Sequence, residues 1–285
     1  MLELHLSQDD LERRSLGEQE LQRALHALRQ DGFVVLHNAI SLAHIESLRQ
    51  RMLADVTAIL ALDDVPFQFN AGHLQQDPPP FPPYLFRDVL ANDFVVEITR
   101  AALGEGVQNA FYSGNTCLPN ETRQPLHVDT GQLWAGLQQA TPAFGLVVNV
   151  PVVDMTPENG STELWPGTHL DTTRSIDETD IKLGPEEEGQ RRAAVAPLQP
   201  CVPAGSVLIR DLRLWHRGMP NHTDTPRPMI AMIHLVRWWH SGKPLLFPKG
   251  TEALFADGPL KTVAQFVEGP IDYISRNHKY DYPTP

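Results

Sequence analysis

Cysteine is scarce in this sequence, with Cys117 and Cys201 the only two among 285 residues. Two cysteines cannot form a disulfide framework, and the absence of a CxxC pair argues against thiolate zinc sites and dithiol redox sites. We therefore expect a cytoplasmic protein in which any bound metal is held by histidine and carboxylate side chains.

Positive charge and long apolar runs are scarce as well. The 23 lysines and arginines are outnumbered by 35 aspartates and glutamates, for a formal net charge of −12. Nucleic acid and anionic membranes need a basic surface, so both are excluded as main partners. The longest apolar run, 144–153, is far shorter than the roughly 18–20 residues of a membrane span, and the acidic N-terminus lacks the apolar core of a secretory signal. We expect a small-molecule partner, while nothing in the sequence specifies an oligomeric state.

The sequence patterns are helical first and strand-like afterwards. Apolar residues recur at helical spacing over 18–30, 41–59 and 88–103, and apolar or β-branched runs follow at 107–112, 143–153, 206–212 and 229–236. This order is typical of helices packed on an antiparallel sandwich or barrel. We predict a single domain over 1–285, with N-terminal helices and a lid-like loop in 1–105, the β core in 106–240 and a C-terminal extension in 241–285. The lid-like loop is the stretch 61–83, which is rich in proline and phenylalanine.

The sequence contains twelve histidines, and these are the main candidates for functional residues. In His127-Val-Asp129 an imidazole and a carboxylate stand two residues apart, so a strand would direct both to one face. Fe(II) in many oxygenases takes two histidines and one carboxylate on one face of its octahedron. His169-Leu-Asp171 and His222-Thr-Asp224 have the same spacing, but both lie in predicted turns, and a structural role is the simpler interpretation for them.

The second histidine of such a site is predicted in the segment that ends at His216. A hairpin centred on Asn221 and His222 would place His216 opposite Arg227, and cross-strand neighbours have Cβ atoms about 4.5–5.5 Å apart. The guanidinium of Arg227 would then lie near the metal, where it could bind the far carboxylate of a short diacid that chelates the metal at its other end.

The motif His127-Val-Asp129, followed along the chain by His216 and Arg227, resembles the site of the phytanoyl-CoA dioxygenase superfamily of iron(II)- and 2-oxoglutarate-dependent oxygenases. The resemblance covers about residues 18 to 240 and includes Asp31-Gly-Phe-Val-Val-Leu36 and the turn Pro157-Glu-Asn-Gly-Ser-Thr-Glu-Leu-Trp-Pro-Gly-Thr-His169. It implies a mainly β fold with flanking helices around a double-stranded β-helix core, which is a jelly-roll, cupin-like architecture.

The resemblance also implies roles for individual residues. His127, Asp129 and His216 would bind Fe(II), Arg227 would hold the distal carboxylate of 2-oxoglutarate, and Gln124 and Thr162 match positions that often hydrogen-bond this co-substrate. The residue two after the distal histidine is often a hydroxyl in relatives but is Gly218 here, so Asn115 or a water would supply that hydrogen bond.

The implied reaction is an oxidation by O2 that releases succinate and CO2, with ascorbate as the reductant in an assay. Related halogenases carry a small residue in place of the carboxylate, whereas this chain has Asp129, so hydroxylation of an unactivated C–H bond is the expected outcome. Desaturation, epoxidation and ring formation are alternatives.

The expected substrate is a small, partly apolar metabolite, because aromatic residues are frequent in loops that flank the ligands. The residues predicted to bind it are Phe67, Asn70, Tyr112, Trp134 and Trp165, with Phe69 on the same rim and Trp238 and Trp239 farther on. Two other functions stay open at this stage: a non-catalytic jelly-roll ligand-binding protein with a vestigial metal site, and a metal-dependent isomerase or oxygenase that uses no co-substrate.

Overall fold

A nine-stranded mixed sheet is the main element of the computed structural model, which describes residues 1–178 and 180–279. The strands are β1 (Glu3–His5), β2 (Phe33–His37), β3 (Phe67–Gln68), β4 (Asn70–Gln75), β5 (Gln108–Cys117), β6 (Gly145–Pro151), β7 (Glu163–Leu164), β8 (Val207–Asp211), β9 (His216–Arg217), β10 (Arg227–Leu235), β11 (Leu245–Pro248), β12 (Lys261–Thr262) and β13 (Ala264–Val267). The helices are α1 (Gln8–Arg13), α2 (Glu18–Gln30), α3 (Leu42–Leu60), α4 (Arg87–Leu90), α5 (Asp93–Leu103), α6 (Pro185–Ala194) and α7 (Ala253–Ala256), with a 3-10 turn at Thr168–Leu170.

The large sheet runs in the order β1-β2-β8-β6-β10-β5-β4-β3, and β12 pairs with β5. A smaller layer, the β7–β9 pair with isolated bridges between His127 and His216 and between Leu164 and Leu198, is separate from it. Across the described residues the large sheet has two free ends and does not close into a barrel. The strand-rich architecture with flanking helices is the predicted one.

Alternation along β10 separates the helix-covered face of the large sheet from the face that carries the site. Ile230 and Met232 belong to the main core, which also contains Leu48 and Met52 of α3. Ala231 and Ile233 point the other way and line a cavity. Successive residues of a strand point to opposite faces, so one strand serves both the core and the site. No helix in the described ranges is long and apolar enough to cross a bilayer.

The predicted helices over 18–30 and 41–59 are confirmed, but the one over 88–103 is interrupted. The break falls between α4 and α5, where the side chain of Asn92 accepts hydrogen bonds from the backbone N–H groups of Phe94 (3.1 Å) and Val95 (3.2 Å). Its amide also donates to the carbonyls of Ala39 and Asp88 at 2.8 and 2.9 Å. Asn92 is therefore an N-cap, and it begins a new helix where the apolar periodicity alone suggests continuation.

We expect Asn92→Ala to lower the free energy of unfolding by about 1–2 kcal/mol, since it removes the cap of α5 and leaves the buried Ala39 carbonyl without its donor. Urea unfolding followed by circular dichroism measures the change. Ser41→Ala is the matched control, because Ser41 begins α3 without a side-chain capping bond; an equal loss in both variants would contradict this explanation.

The hairpin predicted around Asn221 and His222 is wrong. β9 pairs with β7, with Leu164 opposite His216, whereas β10 pairs with β5 and β6 in the large sheet. His216 and Arg227 are consequently on different layers, and the chain between them crosses from one layer to the other.

Candidate metal centre

Backbone pairing brings His127, Asp129 and His216 together. The N–H of each histidine donates to the carbonyl of the other, at 3.1 and 2.9 Å, and the N–H of Asp129 donates to the carbonyl of Leu212 at 3.1 Å. The two imidazole rings have centroids 4.4 Å apart. One ligand atom from each of the three side chains lies within 4.8 Å of the others, close enough for the three to share one metal ion.

Hydrogen bonds select the tautomer of both histidines. Nδ1 of His127 lies 2.9 Å from the carbonyl oxygen of Pro125, and Nδ1 of His216 lies 3.0 Å from that of Leu214. A carbonyl only accepts, so each Nδ1 carries the hydrogen and each Nε2 keeps a free lone pair. Burial also lowers the pKa of both imidazoles. The donor set is thus two neutral nitrogens and one carboxylate, which suits Fe(II).

Asp129 shares its carboxylate between the histidines and an arginine that sequence analysis did not identify. Nη1 of Arg210 on β8 donates to Oδ2 at 2.7 Å, while Oδ1 lies 3.5 Å from Nε2 of His216. Burial would raise the pKa of Asp129, but the positive charge of Arg210 and its hydrogen bond act against this, and the pKa is held at about 2. Arg210 is itself fixed by a 3.2 Å bond from Nε to Oδ1 of Asn149. This arrangement occupies one carboxylate oxygen and leaves Oδ1 for a metal.

We expect Arg210→Lys to weaken metal binding about tenfold, as substitutions of outer partners of metal ligands do. Lysine keeps the positive charge, so repulsion of the cation is unchanged and only the orientation of Asp129 is lost. Anaerobic titration with Fe(II) measures the affinity. Arg51→Lys, at an arginine paired with Asp55 on α3, is the control; an affinity in Arg210→Lys equal to that of the control would contradict this role.

Arg227 reaches the same cavity from β10, on the opposite layer from His216. Its Nε donates to the carbonyl of Asn159 (3.2 Å) and one Nη2 hydrogen to that of Gly160 (3.0 Å), while Nη1 is buried and has no partner among the described residues. The turn that holds it requires glycine, since Gly160 has φ of +80° and a Cβ there would lie 2.6 Å from the Met219 carbonyl oxygen. The guanidinium is therefore held by two of its N–H groups, while both hydrogens of Nη1 are left without a partner among the described residues.

The residues predicted to contact the co-substrate all line this cavity: Gln124, Thr162, Asn115 and Arg227. The Oε1 of Gln124 accepts from the N–H of Gly218 at 2.8 Å, and Nδ2 of Asn115 donates to Oε1 of Gln68 at 2.6 Å. The structure thus brings together the predicted metal ligands and the predicted co-substrate residues.

The cavity has a volume of about 820 Å³ and is lined by both polar and apolar residues. The metal ligands, Arg210 and Arg227 are polar lining residues. The apolar lining residues are Phe69, Phe111, Phe144, Val147, Ile176, Leu212, Met229, Ala231, Ile233, Leu235 and Trp239. The rings of Phe144 and Trp239 are stacked, with centroids 5.4 Å apart.

The five residues predicted to bind substrate lie elsewhere in the part of the chain that the structure describes. Tyr112 is in the main core, because it alternates with the cavity-lining Phe111 on β5. Trp165 is fully buried against Trp215, and Trp134 is 62% exposed.

Phe67 and Asn70 also lie outside the cavity wall formed by the described residues. Phe67 packs against Val56 and Ile59 of α3, and Asn70 donates to the carbonyl of Arg123. Phe69, between them, takes the place expected of these two: it lines the cavity, with its ring centroid 4.7 Å from that of His127. The stretch 61–83 is therefore partly strand, since it contains β3 and β4, and Gln68, Phe69 and Gln75 form a wall of the cavity.

The C-terminal residues contribute a further wall that sequence analysis did not anticipate. Arg276, Asn277, His278 and Lys279 line the cavity. Arg276 pairs with the buried Asp77 at 2.7 Å, and Nδ2 of Asn277 donates to the same carboxylate at 2.9 Å. These bonds attach the end of the described chain to the segment that follows β4.

A second group of possible metal ligands lies on the outer strands of the large sheet. Glu3 and His5 of β1 are exposed and face His37 of β2, with ligand atoms within 4.8 Å of one another. Unlike the group around Asp129, these residues do not line the cavity.

Comparison with known proteins agrees with this architecture. The family model for phytanoyl-CoA dioxygenase (PhyH) matches residues 28–229. The crystal structure of AviO1 from Streptomyces viridochromogenes Tue57 superposes with a TM-score of 0.57 at 19% identity, covering 80% of this chain and 100% of that one. That of EctD from S. alaskensis, in its apoform, gives a TM-score of 0.56 at 18% identity, covering 78% of this chain and 77% of that one. At such identities the likeness shows the fold, and the predicted jelly-roll class is confirmed.

Proposed function

Because the chain belongs to the phytanoyl-CoA dioxygenase family, which comprises Fe(II)- and 2-oxoglutarate-dependent oxygenases, we propose that it hydroxylates an unactivated C–H bond of a small, partly apolar metabolite. One observation supports this proposal above all others: two neutral imidazoles and a carboxylate converge in a cavity that Arg227 also lines, and Nη1 of Arg227 has no partner among the described residues.

His127, His216 and Asp129 are the proposed metal ligands, through Nε2, Nε2 and Oδ1. Three protein ligands leave other positions of a six-coordinate ion open to co-substrate and O2. When bound, Fe(II) with 2-oxoglutarate supplies an oxidation in which one oxygen atom of O2 enters the C–H bond and the other enters succinate as CO2 is lost.

The protein's own contribution is binding and orientation. Arg227 is proposed to bind the distal carboxylate of 2-oxoglutarate through Nη1, since a charge-assisted bond to a buried guanidinium gives both strength and direction. Thr162 and Gln124 line the cavity with Arg227 and are proposed as further co-substrate contacts. Arg210 keeps Asp129 in the rotamer that presents Oδ1.

The apolar part of the cavity lining is the proposed substrate subsite. It includes Phe111, Val147 and Ile233 on neighbouring strands and the stacked rings of Phe144 and Trp239. An apolar substrate body packed there would displace water from the site, which protects a reactive centre from side reactions. This lining supports a partly apolar metabolite, whose polar groups would face the polar lining residues.

Succinate formation tests the proposal. Iron-loaded protein is incubated with 2-oxoglutarate, O2 and ascorbate, with and without candidate apolar metabolites, and succinate and products heavier by one oxygen are followed by mass spectrometry. The proposal predicts slow succinate formation without substrate and faster formation with a substrate that gains oxygen. Folded, metal-loaded protein that forms no succinate would contradict it, and so would folded protein that binds neither metal nor 2-oxoglutarate.

A further inference from the structure

Three buried polar atoms without partners lie in one row across the large sheet. They are Nδ1 and Nε2 of His73 and Nη1 of Arg227, none of which makes a hydrogen bond of acceptable distance and angle among the described residues, although the Asn115 side chain and the Thr122 backbone lie near His73. A buried unpaired donor or acceptor costs about 1–3 kcal/mol. Such atoms on two residues that flank Cys117, close to a cavity, therefore indicate that a ligand completes them.

Strand register places His73 and Arg227 on the same face. His73 of β4 is opposite Cys117 of β5, and Arg227 of β10 is opposite Cys117 on its other side. Residues in register across adjacent strands project to one face of a sheet. Since Arg227 lines the cavity, His73 lies on the cavity side.

The imidazole of His73 occupies the space beside Gly218. A Cβ at position 218 would lie 2.4 Å from Cε1 and 2.8 Å from Nδ1 of His73, and 2.9 Å from Oε1 of Gln124. Real Cβ atoms essentially never approach so closely, so a side chain at 218 would have to displace the histidine. Gly218 and Gln124 both line the cavity, and the missing side chain leaves the ring of His73 next to the cavity wall.

His73 is neutral in this environment. Burial lowers its pKa to about 4, and the positive charge of Arg227 acts in the same direction, against a smaller opposite effect of the Asn115 side chain and the Thr122 backbone. A neutral imidazole offers one N–H donor and one acceptor. Beside a guanidinium, that N–H adds a second donor for an anion.

We propose that His73 is a co-substrate-binding residue that, together with Arg227, holds the distal carboxylate of 2-oxoglutarate. This inference rests on the proposed function. Asn115 or a water is the group expected to compensate for Gly218; because Asn115 already donates to Gln68, we assign this role to the one N–H of His73.

Binding of two related ligands tests the inference without turnover. Isothermal titration calorimetry on the Mn(II)-loaded protein measures the affinity for 2-oxoglutarate and for 2-oxopentanoate, which has the same chain with a methyl group in place of the distal carboxylate. We expect His73→Ala to weaken 2-oxoglutarate binding about 10- to 100-fold, as for a lost hydrogen bond to a charged group. Binding of 2-oxopentanoate should change less than about twofold, because it lacks the group that His73 binds.

His234→Ala is the matched control. His234 on β10 is also fully buried, its Nε2 also has no partner among the described residues, and burial lowers its pKa to about 3. Its Nδ1 lies 2.9 Å from Oγ1 of Thr99 on α5, on the face away from the cavity. This variant should keep the wild-type affinity for both ligands.

Gly218→Ala gives a second route to the same result if His73→Ala folds poorly. The added Cβ displaces the imidazole, so we expect selective loss of 2-oxoglutarate affinity, and no further loss when it is combined with His73→Ala. Unchanged affinity in His73→Ala, or equal losses for both ligands, would overturn the inference. If the wild-type protein binds 2-oxoglutarate, the proposed function still stands in that case. Wild-type protein that does not bind 2-oxoglutarate would overturn the proposed function, and this inference with it.

Discussion

Replacing His127 or His216 with alanine is expected to abolish iron binding and turnover together. Loss of an outer hydrogen-bond partner of a metal ligand already costs about 10- to 100-fold in metal affinity, so loss of a ligand should cost more than about 100-fold. Each imidazole supplies one of the three donors that converge within 4.8 Å. Metal content after anaerobic loading, and succinate formation by the same sample, measure the two effects.

His222→Ala is the control for this prediction. His222 has the same spacing to Asp224 as His127 has to Asp129, but it is exposed and pairs with Glu121 at 3.2 Å. This variant should retain both iron and turnover. Metal content near the wild-type value in His127→Ala and His216→Ala would mean that the ion is bound elsewhere.

The second large effect is expected in Arg227→Ala, on the co-substrate rather than on the metal. Removing one partner of a buried, hydrogen-bonded charge pair costs roughly 2–5 kcal/mol, so the KM for 2-oxoglutarate should rise by at least about 30-fold. Metal affinity should stay near the wild-type value, because Arg227 bonds to Asn159 and Gly160 and not to the three proposed ligands. Steady-state kinetics over a range of 2-oxoglutarate concentrations, with metal content measured in parallel, separates the two.

Arg227→Lys distinguishes charge from geometry at this position. Lysine keeps the positive charge but cannot hold two carbonyls and present a third N–H at the same time. An intermediate KM is expected. A KM for 2-oxoglutarate that is unchanged in both variants would show that Arg227 does not bind the co-substrate.

Local sequence patterns predicted much of the fold correctly. The helix over 18–30 ends where it was expected, because Asp31 and Gly32 interrupt its apolar periodicity. The strand runs near 107–112, 143–153, 206–212 and 229–236 all correspond to strands of the large sheet. Periodicity and turn residues are local signals. They predict these elements because each one is determined by the residues within it and directly beside it.

Partner choice among strands could not be predicted in the same way. His216 and Arg227 are close in sequence with turn residues between them, which favours a hairpin, yet their strands join different layers. Arg227 faces the cavity because β5 and β6 flank its strand, and these strands lie far away in sequence. The predicted hairpin correctly placed His216 and Arg227 at one cavity, but the strand pairing from which this was predicted is wrong.

The face on which a side chain lies was the other weak point. Phe111 and Tyr112 are adjacent aromatics, and only the register of β5 decides that the first lines the cavity and the second enters the core. His73 and the C-terminal residues 276–279 have no local signal for the site. Arg210 does have one, since an arginine within the apolar run 206–212 must be paired if buried, and that rule could have identified it.

The central claim is that one ferrous ion is shared by the imidazoles of His127 and His216 and the carboxylate of Asp129. Anomalous diffraction at the iron absorption edge, from crystals grown anaerobically with Fe(II), tests it most directly. We predict a single strong anomalous-difference peak between the two Nε2 atoms and Oδ1 of Asp129. A dominant peak at Glu3, His5 and His37, with none in the cavity, would contradict it.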